Sequence, residues 1–123
     1  GHRIGSEEIE SIVLKIKDIY ECCAISVSDK IEGHVIYLFV AAKKKMNSEI
    51  SNKIVSNFGS FALPKKIYYI SELPKTRSGK ILRRLLRSIL SEPSASNYGD
   101  LTTMLNKNII HEIKEKIHQN ASN

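Results

Sequence analysis

At 123 residues, with a formal net charge of +6 and 41% hydrophobic residues, the chain fits one domain able to bury a core without metal or disulfide support. Its longest wholly apolar run, residues 35–42, is far short of the roughly 20 residues a membrane helix needs, no secretory signal is visible, and the adjacent Cys22 and Cys23 cannot build a disulfide framework. The charge excess is local, since residues 73–90 carry six Lys/Arg and no acid while 1–72 carry 10 against 9 and 91–123 carry 3 against 4, which argues against a broad nucleic-acid-binding face. The expectation is a reducing, cytoplasmic setting with no membrane and no nucleic-acid partner. The chain opens on Gly-His-Arg-Ile-Gly without an initiator methionine and is expected to continue upstream.

In chain order, Ile9, Ile12, Val13 and Ile16 recur at helical spacing after Ser6, a capping residue, with Glu7 and Glu8 in the first turn where the helix dipole favours acids; the spacing predicts a helix over 6–18. Residues 21–28 and 34–42 are β-branched and aromatic runs separated by a loop of hairpin length, and read as two antiparallel strands. Lys43, Lys44 and Lys45 read as a solvated strand end. Ser48 is placed to cap a second helix whose stripe is Ile50, Ile54, Val55 and Phe58 and whose stop is Gly59. Residues 66–70 read as a third short strand. Beyond the basic segment, apolar positions 81, 82, 85, 86, 89 and 90 define an amphipathic helix, with Arg83, Arg84 and Arg87 on a solvated face. Residues 91–107 read as a surface connection, and a last helix over 108–118 buries Ile109, Ile110, Ile113 and Ile117 and pairs Glu112 with Lys116. Helices flanking a small, mostly antiparallel sheet of about three strands make the class α+β.

Gly79-Lys80 invites a phosphate-loop reading, but the Walker pattern needs glycine at position 74 and a hydroxyl at 81, where Pro and Ile stand. Locally two readings remain open for the stretch LPKTRSGK: a Pro/Gly turn with Lys80 at a helix start, suited to a phosphate or carboxylate, or a basic loop tip leading into an ordinary helix. His111-Glu112 begins a zinc-protease pattern, yet the second histidine falls at 118 rather than 115, so no metal site is expected. Cys22 and Cys23 read as buried small hydrophobes.

GHRIGSEEIE at 1–10 and LPKTRSGKILRR at 73–84 together resemble the two signature motifs of the C-terminal domain of AMP-forming acyl-CoA synthetases, in the adenylate-forming superfamily. The resemblance extends through Phe58–Pro64 and the tail Ser96–Thr103, which is similar to the short-chain members, the acetyl- and propionyl-CoA synthetases. It implies an acetate–CoA ligase that makes acetyl-CoA from acetate, ATP·Mg2+ and CoA through an acetyl-adenylate, with propionate as the alternative acid. It also implies a large N-terminal adenylation domain in the same chain, on which residues 1–90 form a mobile C-terminal catalytic domain. Residues 91–123 would be an extension whose final helix packs on that domain, and this segment alone would be inactive.

The resemblance makes Lys80 the adenylation lysine, contacting the carboxylate and α-phosphate oxygens. It makes Gly1 a residue lining the pantetheine tunnel for CoA, with His2 beside it, and Arg3 a contact to the nucleotide phosphates; Glu10 would pack the first motif in place. Lys80 is also the position where an acetyltransferase and a deacetylase would act in regulated members. One departure is Val55, which stands where many acetyl-CoA synthetases place an arginine for the CoA 3′-phosphate, with Lys53 or an arginine elsewhere as the substitute. The reading from another class is a basic module using 75–87 on RNA or acidic membrane, weakened for RNA by the lack of an aromatic residue in 73–90.

Overall fold

The computed structural model describes residues 4–121, and over them the chain is an α+β fold with a three-stranded sheet. Strands β1 (Ile19–Asp29) and β2 (Gly33–Ala42) pair antiparallel through a tight hairpin, and β3 (Lys66–Tyr69) runs parallel to β2 on its other side, so the strand order is β1-β2-β3 and the sheet is mixed. The parallel pairing follows from the connection. Between β2 and β3 the chain crosses over through helix α2 (Asn47–Phe58) and returns in the same direction.

Both faces of the sheet are covered, because β1 and β2 carry apolar residues on both sides of the pleat. On one face Cys22, Ala24, Leu38 and Val40 pack with Ile9 and Val13 of helix α1 (Ser6–Val13) and with Ile50 and Ile54 of α2. On the other, Cys23, Ile25, Phe39 and Tyr68 pack with Leu85, Leu86 and Ile89 of helix α3 (Arg83–Ser91) and with Ile109, Ile113 and Ile117 of helix α4 (Ile109–Ala121). Phe39 and Tyr68, register partners across β2 and β3, stack with centroids 5.2 Å apart.

The hairpin turn is held by Asp29, whose Oδ1 accepts from the N–H groups of Ile31 (2.8 Å) and Glu32 (3.2 Å); these bonds hold its carboxyl below the usual carboxylate range.

Several helix boundaries differ from the sequence expectation, the last helix among them, which runs Ile109–Ala121 rather than 108–118. Helix α1 ends at Val13 rather than 18: its ladder tightens into i→i−3 bonds at Lys15 and Ile16, and Asp18, at φ 74, turns the chain into β1. Ile16 still joins the apolar layer, which is why the helical stripe over-reads the helix. Neither Ser6 nor Ser48 caps; the N-caps are Gly5, whose N–H donates to Glu8 Oε2 at 3.1 Å, and Met46. The third helix begins at Arg83 rather than Ile81, because Ile81 pairs with Lys75 and the Leu82 N–H donates to Pro74 O at 2.9 Å.

The segment 91–107 is not merely a surface connection. Met104 is 3% exposed and packs in the same core as α3 and α4. Glu112, read as an ion-pair partner of Lys116, instead accepts from the Ser71 N–H (2.6 Å) and Ser71 Oγ (2.7 Å), fastening α4 to the chain leaving β3. Phe39 is fully buried between the sheet and α3, so Phe39→Ala is expected to lower unfolding free energy by about 3–5 kcal/mol, measured by denaturant titration.

Candidate functional site

The basic segment begins buried and ends exposed. Leu73 and Pro74 lie under the surface, and the chain then makes a small hairpin over 75–81 whose tip is Arg77-Ser78-Gly79-Lys80. The Thr76 N–H donates to Lys80 O at 2.9 Å, the Gly79 N–H to Thr76 O at 2.9 Å, and the Lys80 N–H to Thr76 Oγ1 at 3.1 Å. Gly79 has φ 92, and a Cβ there would meet nothing within 4 Å, so glycine is required by the left-handed backbone and not by a close approach. Lys80 thus sits at the end of a hairpin, three residues before the first residue of α3, rather than at a helix start. Its side chain is exposed, and no carboxylate pairs with it among the described residues.

The six cations of 73–90 divide into distinct roles. The Lys75 ammonium pairs with the Glu21 carboxylate of β1, whose Oε1 also accepts from the Leu73 N–H at 3.1 Å. Arg83, expected on a solvated face, is the most tightly held of the six: Nη1 and Nη2 donate to Glu10 Oε2 and Oε1 at 2.5 and 2.8 Å, a two-pronged pair, and Nη1 reaches Cys23 Sγ at 3.2 Å. Glu10 beside it raises the Arg83 pKa further, so the guanidinium is charged throughout the working range. Arg87 Nε donates to Ser26 O at 3.4 Å. Arg77, Lys80 and Arg84 remain exposed, and Lys80 and Arg84 line an open groove of ≈ 580 Å³ with Ile81 and Leu82 at its base.

Glu10 is 8% exposed, and its Oε2 also accepts from the Ala24 N–H at 2.7 Å. Every carboxylate oxygen therefore has a donor, the condition under which a charge is tolerated below the surface. The pair joins α1 to α3 across 73 residues, so the two segments singled out in the sequence meet directly. Arg83 was missed because it lies at the edge of an apolar stripe. The readable signal was its partner: Glu10 stands beside Ile9 and three residues before Val13, on the buried side of α1, where an acid needs a cation.

Gly1, His2 and Arg3 lie outside the described residues. The chain that follows them, Gly5 and Ser6, shares a shallow groove with Arg83 and Arg87. Val55 is 41% exposed on the outer face of α2, with Lys53 half-buried two residues earlier. Cys22 and Cys23 are free and buried. Burial pushes the Cys23 thiol up to about 12 and Cys22 higher still, so neither is a nucleophile at neutral pH. Among the described residues no three His, Cys, Asp or Glu gather as a metal site, and no helix is long and apolar enough to cross a membrane.

Residues 8–80 match the family described as AMP-binding enzyme C-terminal domain. The acetyl-coenzyme A synthetase of Coprinopsis cinerea is 38% identical over 127 residues, covering 95% of this chain and 19% of that protein. Among solved structures, the acyl-CoA synthetase of Brucella canis aligns with TM-score 0.68 at 31% identity over 77% of this chain and 19% of its own. Acetoacetyl-CoA synthetase from Streptomyces lividans shares the fold with TM-score 0.71 at 20% identity, over 96% of this chain and 18% of its own. The chain spans about a fifth of the length of the curated relatives it matches.

Two outcomes are expected from this geometry. Because both thiol pKa values are raised, both thiols stay protonated at pH 8 and should resist a disulfide exchange reagent, reacting only at the rate of unfolding. Glu10→Ala leaves the Arg83 guanidinium without its partner and should lower unfolding free energy by about 2 kcal/mol or more, measured by chemical denaturation, whereas Glu10→Met combined with Arg83→Met should recover much of that loss.

Proposed function

The chain belongs to the AMP-binding enzyme C-terminal domain family, and from that membership we propose that it is the C-terminal domain of an AMP-forming acetate–CoA ligase. The acid is assigned as acetate rather than propionate on the likeness to the acetyl-coenzyme A synthetase of Coprinopsis cinerea. The observation that carries the reading is Lys80, an exposed ammonium without an acid partner among the described residues at the tip of a braced hairpin, where its neighbours Lys75 and Arg83 are already neutralised.

In the first step an acetate oxygen attacks the α-phosphorus of ATP, the bond to pyrophosphate breaks, and acetyl-adenylate forms. Negative charge on the carboxylate and α-phosphate oxygens is what a single ammonium would stabilise, and a compact point charge on a long stem suits delivery into a site built largely by another domain. In the second step the CoA sulfur attacks the acyl carbon, its proton is lost, and AMP leaves. The domain turns on its larger partner between the steps, withdrawing Lys80 and presenting another face. There Gly1, with no side chain, leaves room for the pantetheine arm, His2 lies beside it, and Arg3 faces the nucleotide phosphates.

ATP, Mg2+ and CoA are held mainly by the large N-terminal adenylation domain of the same chain, the magnesium bound to the ATP phosphates. Residues 1–90 are the moving catalytic unit, and 91–123 travel with it as an extension, a reading supported by the core that α3 and α4 share. Acetylation of the exposed Lys80 would remove the charge and switch off the first step, which makes a cytoplasmic acetyltransferase and deacetylase the natural regulators.

The test uses the full-length enzyme. Lys80→Ala is expected to lower acetate-dependent adenylate formation by about 10²-fold or more, read as ATP–pyrophosphate exchange. Thioester formation from preformed acetyl-adenylate and CoA should stay within about twofold of wild type. Undiminished exchange in the variant would remove Lys80 from this role and the reading with it.

A further inference from the structure

We infer that Asn106 is a positioning residue for Lys80, acting through the base of the hairpin. The inference rests on the proposed adenylation role of Lys80. It starts from where the Asn106 carboxamide goes. Nδ2 donates to Leu73 O at 2.9 Å and to Glu72 Oε1 at 2.7 Å, and Oδ1 accepts from the Lys75 N–H at 3.1 Å. One side chain from the far end of the sequence therefore uses both donors and an acceptor on the residues that launch the hairpin. Pro74, between Leu73 and Lys75, has no N–H to offer in exchange.

The same connecting segment adds a short third strand to the hairpin. The Leu105 N–H donates to Lys75 O at 2.8 Å and the Arg77 N–H to Thr103 O at 3.1 Å, with Thr76 bridged antiparallel to Met104. Met104, buried in the core of α3 and α4, anchors that strand from below.

From Asn106 the bonds lead residue by residue to the Lys80 backbone. Lys75 is fixed by the carboxamide on one side and by Glu21 on the other. Thr76 follows it, and Thr76 makes both bonds that set the Lys80 backbone, accepting the Lys80 N–H on Oγ1 and donating its own N–H to Lys80 O. Removing the carboxamide leaves the Lys75 N–H and the Leu73 carbonyl without their partner and lets the hairpin tilt about its base. A shift of about 1 Å in a reacting group is enough to cost about 10²-fold in rate. The role is separable from folding of α4, since the Ile109 N–H bonds to the backbone carbonyl of Asn106, which substitution preserves.

In the full-length enzyme, Asn106→Ala is expected to lower kcat for acetate-dependent ATP–pyrophosphate exchange about 10- to 100-fold. KM for ATP and acetate, and thioester formation from preformed acetyl-adenylate and CoA, should stay within about threefold. Asn106→Asp keeps the acceptor facing Lys75 but sets a second oxygen against Glu72 Oε1 and Leu73 O, and should lower the exchange rate as well. A parallel fall in both half-reactions, or unchanged exchange in both variants, overturns the inference. Lys80→Ala measured alongside separates the two levels: if it abolishes exchange while the Asn106 variants do not lower it, only the positioning role fails, and if it leaves exchange intact both fail.

Discussion

The bond between Glu10 and Arg83 is the interaction around which the rest of the molecule is arranged. A carboxylate on the buried side of α1 accepts from the Ala24 amide and from both prongs of a guanidinium carried at the first position of α3, and so ties both outer layers to β1, an edge strand of the sheet. Taking these charges out of water is costly, and a well-packed apolar pair would give similar or greater stability. What the ion pair supplies instead is registry. Its geometry is satisfied at one angle and one depth of α3 against α1, whereas an apolar contact tolerates sliding. The hairpin ends at Ile81, two residues before α3 begins at Arg83, so the pair also fixes where the hairpin leaves the core.

Above that fixed point the structure changes character over a few residues. Leu73 and Pro74 are buried, Lys75 is neutralised by Glu21, residues 103–105 bond to the hairpin, and the tip is open to solvent. A long side chain on such a tip combines a well-defined backbone with a mobile charge. The proposed transfer of Lys80 into and out of a site shared with another domain would draw on both properties: a loose stretch would repeat the orientational search at each delivery, and a Lys80 paired like Lys75 would first have to leave its partner. The uneven treatment of six cations within eighteen residues is the electrostatic counterpart of this division of labour.

Much of this was legible in the sequence, and the exceptions share a cause. All four helices and three strands were readable from apolar periodicity, because those patterns record which side of an element faces the interior. Lys80 was singled out by the resemblance of the two motifs to a known family, whereas glycine at 79 answers to a local backbone angle. Helix ends were less legible. Ile16 satisfies the stripe of α1 from a turn, and Ile81 satisfies the stripe of α3 from a β-bridge, since burial marks a residue as interior without stating its backbone conformation. Asn106 carries no local signal, being one asparagine in a polar stretch until the fold sets it beside Leu73 and Lys75.

The chain by itself therefore determined the α+β class, the apolar faces, the buried cysteines and the concentration of positive charge in 73–90, all properties that depend on neighbours a few residues away. Tertiary structure alone decided the parallel direction of β3, the pairing of Glu10 with Arg83 across 73 residues, the capture of Glu112 by Ser71, and the bracing of the hairpin by Asn106. Each is a polar or directional choice between partners distant in sequence. Apolar burial is non-directional and can be read residue by residue, whereas a hydrogen bond or ion pair exists only once both partners have been brought to one place at one angle.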